Sequence, residues 1–454
     1  MKKTVVILLV LAVLLGGGYY WIGLRAESAL QGQLAFIEAQ YGPRFTLKHK
    51  DRGIFSSTYR YTVTYTLASG NTAGKPVSID VLETVSHGPI PFAAGSWKPA
   101  LAVLDVTLLS GPDAPQGFNK LLEIVPELRQ TRLRASIGFD GNSLFRLDVP
   151  AFKRSVTAAD GAALALDWRG ATATCDIGPL AASIEAALDA PQLSITRQDT
   201  LVTIQGVAMR SATKLDGKNL YLGKSALHVG SVQVKKGAAE VLSLGDLVLE
   251  GDCARREAVV DGGVALRGHG LAGKTGDTVR FDVALALKNL EFAALDELVG
   301  DWTRISVQPL PPEEQQRQLE DVLHRRAPAL FSRGPILELN RCVLGVPAGT
   351  VESSARLAYV GTGPLPATFP AAAARFTAAA RIATTQAALF DVVRLAGKAN
   401  PTLDAGQARQ QIEQGLAELI ASGFVVRDQD KLSARADWDG KALTVNGKTL
   451  LQLP

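Results

Sequence analysis

Apolar and polar positions divide the chain into one long uncharged run and a series of short alternating segments. The run covers residues 4–24 and holds no charged residue. As a helix it would be about 31 Å long, enough to cross the roughly 30 Å hydrocarbon core of a bilayer. Tyr19, Tyr20 and Trp21 stand near its end, and such rings favour the membrane–water interface. The pattern predicts a transmembrane signal anchor over residues 1–24.

A cleavable signal peptide is the alternative for this segment. Residues 4–15 have the length of a signal h-region, and Gly16 and Gly18 are small enough for a cleavage site. The run lacks an A-x-A sequence and continues apolar to Leu24, which favours the uncleaved anchor. Two lysines before the run and only Arg25 directly after it favour a cytoplasmic N-terminus. We therefore expect a single-pass protein of a bacterial inner membrane with its bulk in the periplasm.

The remainder of the chain has mostly the period of two that is typical of strands. Residues 25–40 first show helical spacing. Residues 59–67 then alternate, with Tyr61, Val63 and Tyr65 on one face. Further alternating segments are residues 101–109, 133–139, 143–149, 163–168, 201–209, 227–234, 241–251 and 278–287.

Turn and helix signals complete the fold prediction. Asp-Gly pairs, which supply the positive φ of tight hairpin turns, predict turns at 140–141, 216–217, 261–262 and 439–440. Helical spacing predicts helices at 117–129, 312–326, 386–397 and 404–422. A closing hairpin places Trp438 on one strand face with Leu432. The expected fold class is α+β, predominantly antiparallel β, with an N-terminal transmembrane helix and a long meandering sheet joined by a few packed helices.

The clearest break in the pattern is the proline-rich stretch at residues 308–312, where an acidic helix start follows. It predicts an N-terminal β-rich region over residues 25–308 and a C-terminal α+β region over residues 309–454.

Composition excludes several classes of function. The formal charge of +4, from 48 basic and 44 acidic residues, argues against a nucleic-acid surface. Cys175, Cys253 and Cys342 are far apart and form no C-x-x-C pair, so no metal site is predicted. Three buried thiols are favoured, and one disulfide with a leftover thiol stays open. The five histidines lack H-x-x-x-H and H-E-x-x-H spacing, so no motif supports a zinc hydrolase.

One formal nucleotide-binding motif is present. Residues 268–275 fit G-x-x-x-x-G-K-[ST], the loop whose amides and following helix hold phosphate groups. Here the motif is followed by an alternating strand pattern from Thr278, and an exported domain meets no ATP. We interpret the match as a glycine-rich connection between strands.

Two loop sequences stand out next to strands. Residues 52–57, Arg-Gly-Ile-Phe-Ser-Ser, could form a binding loop near the membrane or a turn with serine caps, and we favour the turn. Residues 87–91, His-Gly-Pro-Ile-Pro, are interpreted as a rigid loop rather than as the place of a catalytic histidine. No G-x-S-x-G elbow occurs. The sequence predicts no catalytic, cofactor-binding or metal-binding residue, and hence no enzyme.

Six ordered segments carry a resemblance to a known family. They are GYYWIGLRAE, RGIFSSTYRYTV, HGPIP, LALKNLEFAALDEL, LHRRAPAL and LTVNGKTL. Together they resemble the YdgA-like family, Gram-negative envelope proteins of unknown function. The resemblance implies an inner-membrane anchor and a large periplasmic region, and it supplies no catalytic residues. The fourth segment is also similar, more weakly, to AsmA-type proteins.

These observations lead to three hypotheses. The first is a non-enzymatic periplasmic binding or scaffolding module, anchored in the inner membrane by residues 4–24. The second is a lipid or apolar-ligand carrier with a groove on its sheet, and the third is an unrecognised hydrolase. The first two differ in whether apolar strand faces, such as those of Tyr61 and Phe281, are covered by helices or left open. The partners expected are a lipid or an envelope protein, and no nucleic acid.

Overall fold

The computed structural model consists of one long antiparallel sheet with helices packed on it, so the α+β, mainly antiparallel class is confirmed. Over the described residues, 22 strands belong to this sheet. The structure describes residues 2–42, 44–66, 76–109, 119, 122–157, 162–272, 277–308, 310–361, 369–399 and 405–452.

The strands of the first half lie between residues 44 and 197. They are β1 (Arg44–Arg52), β2 (Ser56–Thr66), β3 (Pro76–His87), β4 (Ala102–Leu109), β5 (Arg132–Ile137), β6 (Ser143–Val149), β7 (Phe152–Thr157), β8 (Ala163–Trp168), β9 (Ala171–Ile177) and β10 (Ser183–Arg197).

The strands that follow include the longest of the sheet. They are β11 (Thr200–Leu215), β12 (Tyr221–Lys236), β13 (Ala239–Arg256), β14 (Val259–Ala272), β15 (Asp277–Glu291), β16 (Ile336–Val346), β17 (Gly349–Tyr359), β18 (Phe376–Thr385), β19 (Val426–Asp428), β20 (Lys431–Trp438), β21 (Ala442–Val445) and β22 (Lys448–Gln452).

The helices lie at the start of the chain and after β15. They are α1 (Lys2–Tyr41), α2 (Phe292–Ser306), α3 (Pro312–Leu330), α4 (Phe369–Ala373), α5 (Gln386–Ala399) and α6 (Ala405–Ala421). The predicted helices at 312–326, 386–397 and 404–422 are confirmed. Helical spacing had not indicated α2. Of the helix predicted at 117–129, residues 117, 118, 120 and 121 lie outside the described residues and residues 122–124 are helical. Its predicted end is wrong, because residues 126–130 form a 3-10 turn that Pro126 begins.

Neighbours along the chain are neighbours in the sheet almost throughout. β1 to β6 pair in order, β6 then pairs with β9, and β9 to β18 continue in order to β20, β21 and β22. The hairpin β7–β8 joins through β10. From β9 to β14 the paired strands follow one another directly and need only short turns, which explains why turn residues recur there, whereas helices connect β15 to β16 and β18 to β19.

Three of the four predicted Asp-Gly turns are present. Gly141, Gly217 and Gly440 have φ values of 84°, 97° and 96°, in the region that favours glycine. The turn predicted at 261–262 is wrong, because both residues lie inside β14. The closing hairpin is confirmed, with Trp438 opposite Leu443.

Helix α1 covers the first strands of the sheet. Ala26 and Leu30 of α1 are buried against Tyr59, Tyr61 and Val85. Burial of several apolar side chains at about 1.5–3 kcal/mol each fixes the second half of α1 on β2 and β3. Tyr59 and Tyr61 on the apolar face of β2 are therefore covered, whereas the side chain of Tyr65 on the same face lies outside the described residues.

Among the residues whose side chains are described, no helix is long and apolar enough to span a bilayer. The side chains of residues 2–14, which fill much of the predicted anchor, lie outside that set. The boundary predicted at residues 308–309 falls between α2 and α3, and β15 pairs with β16 across it. The division into two regions stays a prediction.

Candidate functional site

The two loop sequences that stand out in the sequence meet at one junction. Ser57 is the second residue of β2 and His87 is the last of β3, and the antiparallel pairing of these strands brings both to the same end of the sheet. The Oγ of Ser57 lies 3.0 Å from Nε2 of His87. The Nδ1 of His87 lies 2.9 Å from the carbonyl oxygen of Ile54. Because a carbonyl only accepts, Nδ1–H donates to Ile54, and Nε2 of the neutral ring accepts from the Ser57 hydroxyl.

Helix α1 closes this junction. A Cβ on Gly23 would lie 2.6 Å from Nδ1 of His87, so the helix backbone rests directly against the imidazole. The hydroxyl of Tyr19, one turn earlier, donates to the carbonyl of Ile90 at 2.8 Å. One turn later Glu27 pairs with Arg52 at 3.3 Å and with Lys50. Three successive turns of α1 are therefore joined to the strand ends.

Ser57 and His87 are the residue types of a nucleophile and its general base, but a substrate has no access to them. Ser57 is 3% exposed and His87 1%. Burial, partly offset by the bond to Ile54, lowers the pKa of His87, so the ring stays neutral near pH 7. A nucleophile must reach a substrate, and α1 lies over this one. The geometry joins the two loops and holds them under the helix.

Two buried carboxyl groups lie in the same strands. Asp80 accepts from Thr62 at 2.7 Å and from Arg60 at 2.9 Å, and although burial opposes them these bonds hold its pKa below the usual range. Glu83 is 6% exposed, and burial raises its pKa to about 7. The sequence had indicated neither role, because burial of a strand carboxylate depends on what packs over it.

The formal phosphate-binding motif does not form a phosphate-binding loop in the part that is described. Its first five residues, 268–272, belong to β14, whereas Lys274 and Thr275 lie outside the described residues. The segment that follows from Asp277 is β15, as the alternating pattern predicted. A P-loop requires a helix N-terminus at this point.

The cysteines and histidines do not assemble a reactive centre. Cys175, Cys253 and Cys342 are free thiols and half-buried, and burial raises the pKa of Cys175 and Cys253. Asp246 lies between two histidines of neighbouring strands, 3.9 Å from His228 and 3.8 Å from His269. In the part of the chain that the structure describes, no group of three such side chains could hold a metal ion.

A second candidate site lies on the long sheet itself. Register pairs Leu249 with Leu266, Val264 with Leu285, and Leu287 with Leu337. These residues lie side by side on one face, and their exposure ranges from 39% to 47%. With Leu357 and Ile382 they form what we call the apolar stripe, whose members are Leu249, Val264, Leu266, Leu285, Leu287, Leu337, Leu357 and Ile382.

Helices pack on this face at both ends of the strands but not over the stripe. At one end, Phe292 and Leu295 of α2 pack with Cys253 and Val260. At the other end, Leu395 of α5 packs with Val279 and Val346. On the apolar face of β15, therefore, Val279 is covered by a helix, whereas Leu285 and Leu287 are exposed to solvent.

The two faces of these strands differ sharply in charge. Among the described side chains of β14 to β18, the one charged residue on the stripe face is Asp277 at the start of β15, which pairs with Arg394 of α5 at 2.8 Å. The opposite face carries ion pairs between strands, including Arg267–Glu250 at 2.7 Å, Arg341–Asp282 at 3.0 Å and Lys288–Glu338 at 2.6 Å. A sheet with one solvated face normally buries the other. Contiguous exposed apolar patches on soluble domains mark binding sites.

Comparison with known proteins places the chain in a family. No curated protein and no solved structure matches it. A family model described as "Bacterial protein of unknown function (DUF945)" matches residues 1–451. Because that match covers nearly the whole chain, the protein belongs to the DUF945 family of bacterial proteins of unknown function.

Proposed function

We propose that this protein is a membrane-anchored, non-enzymatic binding module whose apolar stripe holds the acyl chain of a lipid. The observation that carries the proposal is the open, uncharged sheet face between α2 and α5. A lipid carrier was expected to leave an apolar strand face open, and a scaffold was expected to cover such faces with helices. The stripe thus favours the carrier.

The dimensions of the stripe suit an acyl chain. It crosses β13 to β18, and five strand spacings of about 4.8 Å give a length of about 24 Å. One leaflet of the hydrocarbon core is about 15 Å thick, so a fully extended chain fits along it. The one described charge on the stripe face of β14 to β18, Asp277, is paired with Arg394 of α5, so the face offers no free charge to orient a peptide, and the strands' backbone groups are used in the sheet.

The location supports the same ligand class. We propose that residues 4–24 anchor the chain in the inner membrane with the bulk in the periplasm. Helix α1 is continuous from Lys2 to Tyr41 and passes from the uncharged run directly onto β2 and β3. The ordered segments that resemble the YdgA-like family favour the same topology. An alkaline phosphatase fusion after residue 60 should be active, and the mature protein should begin at or near Met1.

Lipid analysis of the purified full chain tests the binding role. We expect wild-type protein to retain lipid after detergent washing, measured by extraction and mass spectrometry. Leu266→Glu with Leu285→Glu puts two charges on the stripe and should remove that lipid. Leu323→Glu is the matched control, because Leu323 is a 53% exposed leucine on α3 that does not belong to the stripe. Equal lipid content in all three proteins would contradict the proposal.

The same variants distinguish scaffolding from lipid binding. If the stripe instead joins two copies of the chain, wild-type protein should be a lipid-free dimer. The charged variants would then change the mass measured by light scattering, and the lipid content would stay at zero. That outcome would contradict lipid binding and favour a scaffolding function.

A further inference from the structure

Three separate segments place large apolar side chains around one point of α1. Tyr20 and Trp21 belong to α1, Ile54 and Phe55 to the turn between β1 and β2, and Phe92 and Trp97 to the loop after β3. We call these six residues the aromatic patch. All six are at least 47% exposed, and Trp97 reaches 79%.

Tyr19 is the contact that unites the segments. Its ring is 5% exposed and lies 5.0 Å from the ring of Phe55 and 6.2 Å from that of Phe92. Phe92 in turn contacts Trp97 at 5.1 Å. The loops therefore sit at the level of Tyr19 along the helix and cannot shift along it without losing these contacts.

The aromatic patch has cations close to its rings. The guanidinium of Arg52 lies 4.5 Å from the ring centre of Tyr20, and that of Arg25 lies 5.2 Å from that of Trp21. Lys98 is exposed next to Trp97. Side chains at the level of the lipid headgroups are characteristically amphipathic aromatic rings and basic groups that can reach the phosphates.

The level of the patch matches the end of the predicted anchor. Residues 19–21 stand in the last turns of the uncharged run, where a spanning helix leaves the hydrocarbon core. Loops that contact Tyr19 must then lie at the same depth. Contact of the exposed Trp97 ring with water is unfavourable in free energy, and insertion of the ring into the membrane–water interface removes that contact.

We propose that the aromatic patch inserts into the lipid headgroup region beside α1 and fixes the sheet at the membrane surface. This inference rests on the proposed anchor. With α1 joined to β2 and β3 by Gly23–His87 and Glu27–Arg52, a helix and two loops would enter the same interface. Three points of contact set the tilt of the sheet relative to the bilayer, which a single helix does not.

Tryptophan fluorescence of the full chain in lipid vesicles tests the inference. The vesicles contain phosphatidylcholine and phosphatidylglycerol, with or without bromine on the acyl chains, and bromine quenches only tryptophans near the membrane. The chain has five tryptophans, so each is assigned by the loss of its signal on substitution with Phe. We expect Trp97→Phe and Trp21→Phe each to remove a component that brominated lipid quenches. Trp302→Phe is the control, since Trp302 is 54% exposed on α2.

The possible results separate this inference from the anchor. If Trp21 is quenched by brominated lipid whereas Trp97 is quenched only by aqueous acrylamide, the anchor stands and the docking of the loops is wrong. If neither is quenched by brominated lipid, the anchor fails as well. Quenching of Trp302 to the same extent as Trp97 would also contradict the inference, because the patch would not be specific.

Discussion

The hydroxyl of Ser57 lies 3.0 Å from Nε2 of His87, and both side chains are buried where α1 crosses the ends of β2 and β3. The two residues are 30 positions apart and come from two loops that the sequence marked separately. Their hydrogen bond, with that of His87 to Ile54, joins the turn after β1 to the loop after β3. The junction thus connects the helix to the sheet.

Loss of the imidazole should destabilise this junction. His87→Ala leaves a cavity and an unpaired Ser57 hydroxyl, and we expect it to lower the free energy of unfolding by about 2–4 kcal/mol. Ser57→Ala should cost about 1–2 kcal/mol, and the double variant less than the sum of the two. Denaturant titration in detergent measures each value. Ser78→Ala is the control at the far end of the same hairpin, where the hydroxyl pairs with Thr64 at 2.9 Å. An equal loss there would contradict a special role for the junction.

Gly23 should be intolerant of a side chain. In Gly23→Ala the new Cβ would lie 2.6 Å from Nδ1 of His87, which is buried and held by two hydrogen bonds, and overpacking of this kind costs about 1–3 kcal/mol. Gly18→Ala lies on the same helix, and none of the described atoms outside that helix's own backbone lies within 4 Å of the new Cβ, so this variant should be neutral or slightly stabilising. Thermal unfolding and limited proteolysis compare the two. Equal behaviour of the two variants would show that α1 does not rest on His87.

Glu83 should make stability depend on pH in an unusual direction. Burial raises its pKa from 4.5 to about 7, so the folded state holds a proton that the unfolded state releases. Stability from the neutral carboxyl is fully present below about pH 4.5 and is lost as pH rises to about 7, by up to about 3 kcal/mol. Glu83→Gln should therefore be more stable than wild type at pH 8 and equal to it at pH 4.5.

His87 opposes Glu83 over part of this range, because a lowered histidine pKa makes the protein gain stability as pH rises toward 6.5. The difference between wild type and Glu83→Gln, measured by denaturant titration at several pH values, isolates the carboxyl. A difference that is constant with pH would contradict the burial of Glu83 in the folded state.

The C-terminal hairpin should be part of the sheet and not an appendage. β20 pairs with β18 over eight positions, and the Trp438 Nε1–H donates to the carbonyl of Ala373 at 3.0 Å. Deletion of residues 431–454 would expose the whole edge of β18, and we expect loss of protease resistance in this region. Trp438→Ala should cost about 3 kcal/mol. Wild-type thermal stability in the deleted protein would contradict this account.

Sequence pattern predicted the strands whose side chains alternate, such as β2, β5 and β15, and the helices with a clear apolar stripe. It missed β18, Phe-Thr-Ala-Ala-Ala-Arg-Ile-Ala-Thr-Thr, because alanine carries no signal for strands and favours helices. It missed β1 because that strand is nearly all polar and exposed.

The candidate sites depend on tertiary contacts that a single sequence does not display. The alternation of β15 indicated one apolar face, but not that α5 would cover Val279 and leave Leu285 open. The segments around Ser57 and His87 were recognised as distinctive, yet their contact follows from the register of β2 with β3 and from the place of Gly23. The alternation of residues identifies the apolar face of a strand, whereas tertiary packing determines whether that face is buried or exposed.

Photocrosslinking from the apolar stripe in living cells tests the central claim most directly. A photoreactive phenylalanine analogue in place of Leu285 of the full chain should, on illumination, form adducts whose added mass is that of a lipid. The same analogue at Leu323 on α3, which is also exposed, should form none. Lipid adducts confined to position 285 are the result we predict. Adducts with protein alone at position 285, or equal lipid adducts at both positions, would contradict the account.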